Sequence, residues 1–168
     1  AVEKSGEAVL LDGTMNLFGE YSNTVDDLDG KKMANVAENI AIKADSQLLV
    51  VERKQVISQQ DTIFLNMLKM KVRSYRFEFT GQKFDTLVTA FLEDSYLNTR
   101  IPLDINATTS YDFTVENIPG SWKPGRFRIV FKSTRPLSIT FTNMNAYQKY
   151  NDVAVDWAVE KELAIKHY

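Results

Sequence analysis

Glu93 and Asp94 are adjacent carboxylates at the end of a strand-like run, 87–93. Paired carboxylates are the machinery of glycoside hydrolysis, one acting as acid and the other as base or nucleophile. Adjacent strand residues point to opposite faces, however, so these two would not converge on one bond. The pair reads as a solvated strand end followed by a turn. A second acidic group, Asp26, Asp27 and Asp29, lies in the loop 22–30. Oxygen ligands in a glycine-ended loop suit calcium, so these three are the metal candidates and Ca2+ is the one cofactor the sequence suggests. The EF-hand pattern is absent, and a surface loop held by side-chain-to-backbone bonds accounts for the same residues.

Other catalytic sets lack their parts. The single histidine, His167, lies one residue from the end of the sequence, where nothing holds a general base in place. There is no cysteine, which removes disulfides, thiolate nucleophiles and thiolate metal sites together. Ser-His and Cys-His nucleophile systems and histidine zinc sites need residues this chain does not have. No P-loop and no GxGxxG pattern occurs. The expectation is a protein that is not an enzyme.

Aromatic side chains offer a different chemistry. Trp122 sits between prolines and glycines in the loop 118–125, and Tyr21, Tyr96 and Tyr150 lie near turn signals. Loops carry binding residues more often than strands do, and such rings could stack on sugars. Trp122, Tyr96 and Tyr21 are therefore the candidate ligand-binding residues. The competing reading is that each covers an end of the core. Trp157 lies on an alternating apolar run and reads as core.

The elements that must position these residues show period-two alternation. Tyr75, Phe77 and Phe79 alternate with Arg76, Glu78 and Thr80; Tyr111, Phe113 and Val115 with Asp112, Thr114 and Glu116. Phe127, Ile129 and Phe131 alternate with Arg126, Arg128 and Lys132, and Val153, Val155, Trp157 and Val159 with Asp152, Ala154, Asp156 and Ala158. Such strands bury one face and wet the other, as in antiparallel sheets. The runs 47–51 and 62–70 are apolar on both faces and suit central strands; 62–71 could also form a short helix, and strand is preferred. Runs at 87–93 and 138–147 complete the set. The most helical composition is at 31–44. Turn signals such as Asp12-Gly13, Asp29-Gly30, Thr80-Gly81, Pro119-Gly120 and Pro124-Gly125 separate the runs. About ten short strands at this spacing predict an all-β fold, an antiparallel, jelly-roll-like β-sandwich.

Composition agrees. Of the 168 residues, 44% are apolar and 25% charged, as in folded globular chains, and the net charge of −2 supplies no basic field for nucleic acid. No apolar run approaches the ~20 residues of a membrane-spanning helix, so membrane insertion is not expected. Residues 1–6 lack the basic start and apolar core of a signal peptide, which leaves a cytoplasmic chain or a mature fragment addressed elsewhere. Pro136 breaks the pairing pattern after the run 126–132. The chain is therefore read as a sandwich module, 1–134, and the opening strands of a second β-domain, 135–168. A lone hairpin is marginally stable, so this tail either docks on the sandwich or is a domain cut short, and the abrupt end after an amphipathic run favours the cut.

Several segments, taken in order, carry a resemblance. They are Asp12-Gly13-Thr14, Asn16-Leu17-Phe18-Gly19, Lys32-Met33, Glu38-Asn39, Leu49-Val50-Val51-Glu52-Arg53 and Asp61-Thr62-Ile63-Phe64-Leu65. Tyr75-Arg76-Phe77-Glu78-Phe79, Ala90-Phe91-Leu92-Glu93-Asp94-Ser95-Tyr96-Leu97, Asp112-Phe113-Thr114-Val115 and Arg126-Phe127-Arg128-Ile129-Val130-Phe131 follow. Together they resemble the β-sandwich region near the C-terminus of very large secreted and cell-surface proteins of Bacteroidota. The tail, with Leu137-Ser138-Ile139-Thr140-Phe141, Val153-Ala154-Val155-Asp156-Trp157 and Glu162-Leu163-Ala164-Ile165-Lys166-His167-Tyr168, looks like the start of the fibronectin-like domain that often follows; Ser138 stands where proline is common. The resemblance implies export by the type IX secretion system through a sorting signal further along the polypeptide, and a location outside the cell or on its surface. It implies a non-catalytic structural or adhesion module whose partners are other domains of the same polypeptide, the secretion machinery, and a glycan or surface protein. A carbohydrate-binding module using the loop aromatics is the alternative.

Overall fold

A computed structural model describes residues 2–4, 7–57, 60–133 and 141–159, with the side chains of 2–4, 7, 8, 141 and 159 left aside. The chain divides into two compact units, Ala1–Arg135 and Pro136–Tyr168. The strands of the first are β1 (Val2–Lys4), β2 (Glu7–Val9), β3 (Met15–Gly19), β4 (Gly30–Lys31), β5 (Asn39–Ala44), β6 (Gln47–Gln55), β7 (Gln60–Leu68), β8 (Arg73–Thr80), β9 (Val88–Asp94), β10 (Thr99–Leu103), β11 (Thr108–Val115) and β12 (Phe127–Ser133). Those of the second are β13 (Phe141–Lys149) and β14 (Asp152–Val159). Among the described residues there is no α-helix, only a 3-10 turn at Pro119–Ser121.

The fold is an all-β sandwich. Its large sheet runs β10-β9-β12-β7-β5-β6-β3, with β4 also pairing with β6. The facing sheet contains β8 and β11, in antiparallel register with Tyr75 opposite Phe113. All pairs are antiparallel except β3 with β6, which is parallel. Alternation does what the sequence expects: Tyr75, Phe113 and Val115 turn inward from the small sheet, while Ser74, Arg76, Glu78, Asp112 and Thr114 face water. They meet Ile42, Leu49, Leu65, Leu92 and Phe127 from the large sheet. Phe127 is the centre, with ring centroids 4.8 Å from Phe113 and 4.9 Å from Phe77. Removing a fully buried side chain of this size from water contributes roughly 1.5–3 kcal/mol.

The run 62–70 is strand through Leu68, as preferred over helix, because it lies between β12 and β5 and buries Ile63, Leu65 and Met67. The helix-like stretch 31–44 instead supplies β5, where Ala41 and Ile42 are inaccessible between two neighbouring strands. Sheet pairing there overrides intrinsic preference.

In the second unit, β13 and β14 form an antiparallel hairpin in which Met144 faces Trp157 and Ala146 faces Val155. Opposed residues of a pair share a face, so Met144, Ala146, Val153, Val155 and Trp157 make one apolar surface. Trp157, expected in a core, is 50% exposed, because no described strand or loop within its unit covers that surface.

Candidate functional site

The two tempting carboxylates separate as alternation requires, but not into a solvated strand end. Asp94 is only 2% exposed. It receives Arg126 through two hydrogen bonds, Nε to Oδ1 at 3.0 Å and Nη2 to Oδ2 at 2.8 Å. The Tyr111 hydroxyl donates to Oδ2 at 3.0 Å, and the backbone N–H groups of Tyr96 and Leu97 donate to Oδ1 at 2.9 and 3.3 Å. Burial opposes ionisation, but the hydrogen bonds and charge of Arg126, with the N–H groups of Leu97 and Tyr96, outweigh it and hold the carboxyl below its ordinary value. The turn after β9 is thus anchored by its own aspartate.

Arg126 is the residue whose face the sequence misassigns. Grouped with Arg128 and Lys132 on the wet side, it is 1% exposed. It precedes β12 by one residue and follows Gly125, whose φ of +79° ends the preceding loop, so it is outside the strand's alternation. Its guanidinium turns inward over the rings of Phe127, Tyr96 and Phe113, at 4.6, 4.9 and 5.1 Å from their centroids. Its Nη1 donates to the carbonyls of Thr114 and Ser121. The pair closes the end of the core, and both carboxylate oxygens are engaged by donors.

Other inward acids are similarly engaged. Lys32 donates to Asp12 Oδ2 at 2.5 Å, and the Ile40 N–H donates to the same oxygen at 3.0 Å. Glu38 pairs with Arg73 and Lys71 and accepts from the Tyr75 hydroxyl. Among the described residues no cation forms an ion pair with Glu52; Asn16 Nδ2 donates to it at 2.6 Å, and burial pushes its carboxyl above the ordinary value.

Glu93 points the other way. It lies on the outer face of the large sheet, 2.6 Å from Arg128 Nε and 3.7 Å from Arg100 Nε. Strand register places Phe64 opposite Arg128, Arg128 opposite Glu93, and Glu93 opposite Arg100. Beside this row is a pocket of about 460 Å³, whose lining includes Phe64, Glu93, Asn98, Thr99, Arg100 and Arg128. A second cleft, of about 420 Å³, opens between the sheets, and Phe18, Phe77, Phe79, Phe84 and Phe131 are among its walls.

The metal candidates do not come together. Asp29 Oδ1 accepts from the Arg53 N–H and its Oδ2 from the Asp26 N–H. Asp26 Oδ1 accepts from the Leu28 N–H, closing an Asx turn. Asp27 is exposed. Among the described residues no group of three acidic, histidine or cysteine side chains could hold a metal.

The candidate aromatics also part company. Tyr21 follows β3, at one edge of the large sheet, with the Arg53 guanidinium 5.6 Å from its ring centroid. Tyr96 follows β9, near the other edge, where it donates to Glu116 at 2.7 Å, and a Cβ built on Gly120 would lie 3.0 Å from its ring. Trp122 closes the adjacent 3-10 turn and is 45% exposed. Tyr96 and Trp122 thus belong to neighbouring loops, and Tyr21 does not join them. His167 lies outside the described residues. Residues that sequence reasoning missed are Phe64, Arg100 and Arg128; an apolar Phe64 between two inward positions of β7 was the available signal.

Comparison with protein-family models, curated proteins and solved structures finds no match to this chain.

Proposed function

We propose that the chain is a non-catalytic structural and adhesion module of a large secreted or cell-surface protein, exported by the type IX secretion route that the sequence resemblance implies. The supporting observation is the fate of the acids: Asp94 is committed to Arg126 inside the core, while Glu93 points away from it. Glycoside hydrolysis needs two carboxyl groups about 5–10 Å apart that are free to act on one bond. Glu93 and Asp94 both border the pocket, but both oxygens of Asp94 are held by Arg126, Tyr111 and backbone N–H groups.

Two measurements test the reading. Protease treatment of intact cells expressing the parent protein should remove this region, and protection of the region would overturn its placement at the surface. Incubation with a panel of glycoside, ester and peptide substrates should release no product; turnover lost on mutation of an acid in this chain would overturn the non-catalytic part.

A further inference from the structure

We propose that the outer face of the large sheet binds an acidic saccharide at the row Phe64, Arg128, Glu93 and Arg100. The proposal gives the adhesion reading a ligand class and rests on it for its setting, while its chemistry stands on the row itself.

Four adjacent strands contribute one residue each. Side chains paired across neighbouring strands stand about 4.5–5.5 Å apart, so the row is a continuous ledge rather than four isolated groups. Phe64 is 43% exposed in a strand where its neighbours Ile63 and Leu65 turn inward and are buried. The exposed part of this ring, in the middle of a sheet face, offers a flat surface to the C–H face of a sugar. Arg128 and Arg100 are 51% and 49% exposed, and each presents a planar fork that matches a carboxylate. Arg100 lies with its guanidinium 4.1 Å from the Phe91 ring centroid, which limits its freedom before any ligand arrives.

The charges favour an anion that also carries hydroxyls. Two arginines share the single Glu93 carboxylate, and Lys43, opposite Phe64 on β5, adds another cation to the same row. Positive charge is in excess, so a carboxylate ligand is attracted. Glu93 works against a pure polyanion and instead accepts hydroxyl hydrogens, as Asn98 and Thr99 in the pocket wall can. A uronic or sialic acid residue has the required set: one carboxylate, several hydroxyls and an apolar ring face. The pocket of about 460 Å³ has the size of sites that hold ligands of this kind. The loop at its rim is fixed, because the N–H groups of Tyr96 and Leu97 are held by Asp94.

The test is calorimetric titration of the full chain with three acidic oligosaccharides, galacturonate, glucuronate-containing and sialylated, each beside its neutral counterpart, and with an oligoglutamate peptide. At least one acidic sugar should bind about tenfold more tightly than its neutral partner and than the peptide. Raising the salt should weaken it. The double change Arg100→Lys with Arg128→Lys keeps the charge but removes the forks, and Phe64→Leu keeps the apolar bulk but removes the ring; each should weaken binding severalfold while the melting curve stays near that of the parent chain. Failure of all three acidic sugars, equal binding of neutral sugars or of oligoglutamate, or binding indifferent to both variants would each overturn the site. Binding by a chain that is protected on intact cells would keep the site and remove the adhesion role; surface exposure without binding would do the reverse.

Discussion

The two faces of the large sheet at the end of β9 carry nearly the same groups and use them differently. Inside, Asp94 and Arg126 meet at 2.8 Å with both side chains 1% exposed. Outside, Glu93 and Arg128 meet at 2.6 Å with the arginine half in water. The inner pair is surrounded by further partners that satisfy the charges dehydrated by burial. The outer pair is only partly dehydrated, with Arg128 51% and Glu93 22% exposed. Distance alone therefore does not rank ion pairs: the shorter contact is the weaker contributor to the fold, and the one available to a ligand.

The largest test of that contrast is Arg126→Ala. It leaves Asp94 buried and uncompensated, and about 3–5 kcal/mol of stability should be lost in a urea or thermal melt. An effect as small as that of an exposed pair would show that the inner hub is not what closes the core. Acid gives the next effect. Asp94, Asp12 and Glu38 all have carboxyls held below their ordinary values of 3.8, 3.8 and 4.5. For such groups the stabilisation is present above the unfolded value and is lost as pH falls through the lower folded one. The melting temperature should therefore drop as pH is taken from about 5 to below 4, and a flat profile would contradict the pairing of all three.

Smaller changes sharpen the comparison. Ser121, fully buried, accepts from the Glu116 N–H at 3.0 Å and holds the loop over the hub, so Ser121→Ala should cost about 1–3 kcal/mol. On the outer face, Glu93→Gln should change the melt by less than about 1 kcal/mol; a loss comparable with that of Arg126→Ala would erase the distinction between the faces. Glu52 supplies the smallest and oppositely signed effect. Its carboxyl is raised, so the native state favours the protonated form, and the benefit present below the ordinary 4.5 is lost as pH rises. Glu52→Gln keeps an acceptor for Asn16 and should raise the melting temperature slightly at pH 7, with the gain vanishing in acid.

The sandwich was legible because its strands bury one face: Tyr75 with Phe77, Tyr111 with Phe113, and Phe127 with Phe131 announce themselves by alternation. β3, β5 and β10 are quieter. β3 and β10 are edge strands of five residues, too short for alternation to stand out, and β5 is hidden in the stretch of most helical composition. The site residues were harder to read, because alternation assigns faces only inside strands. Arg126 is beyond that limit, turned by the glycine before it, and the Pro124-Gly125 turn signal was the one cue that sets it apart from Arg128. The importance of Phe64 depends on register across β12 and β9, which brings together residues far apart in sequence.

The place of β12 between β7 and β9 has a consequence in time. β7 and β9 are both made earlier in the chain, yet neither pairs with the other; each keeps an edge waiting for residues 127–133. The large sheet is two incomplete ribbons until that strand emerges, and the central ring, Phe127, arrives with it. Closure therefore depends on contacts some sixty residues apart, a topology that folds over milliseconds to seconds rather than microseconds. A chain growing from its N-terminus leaves this sheet open until β12 emerges.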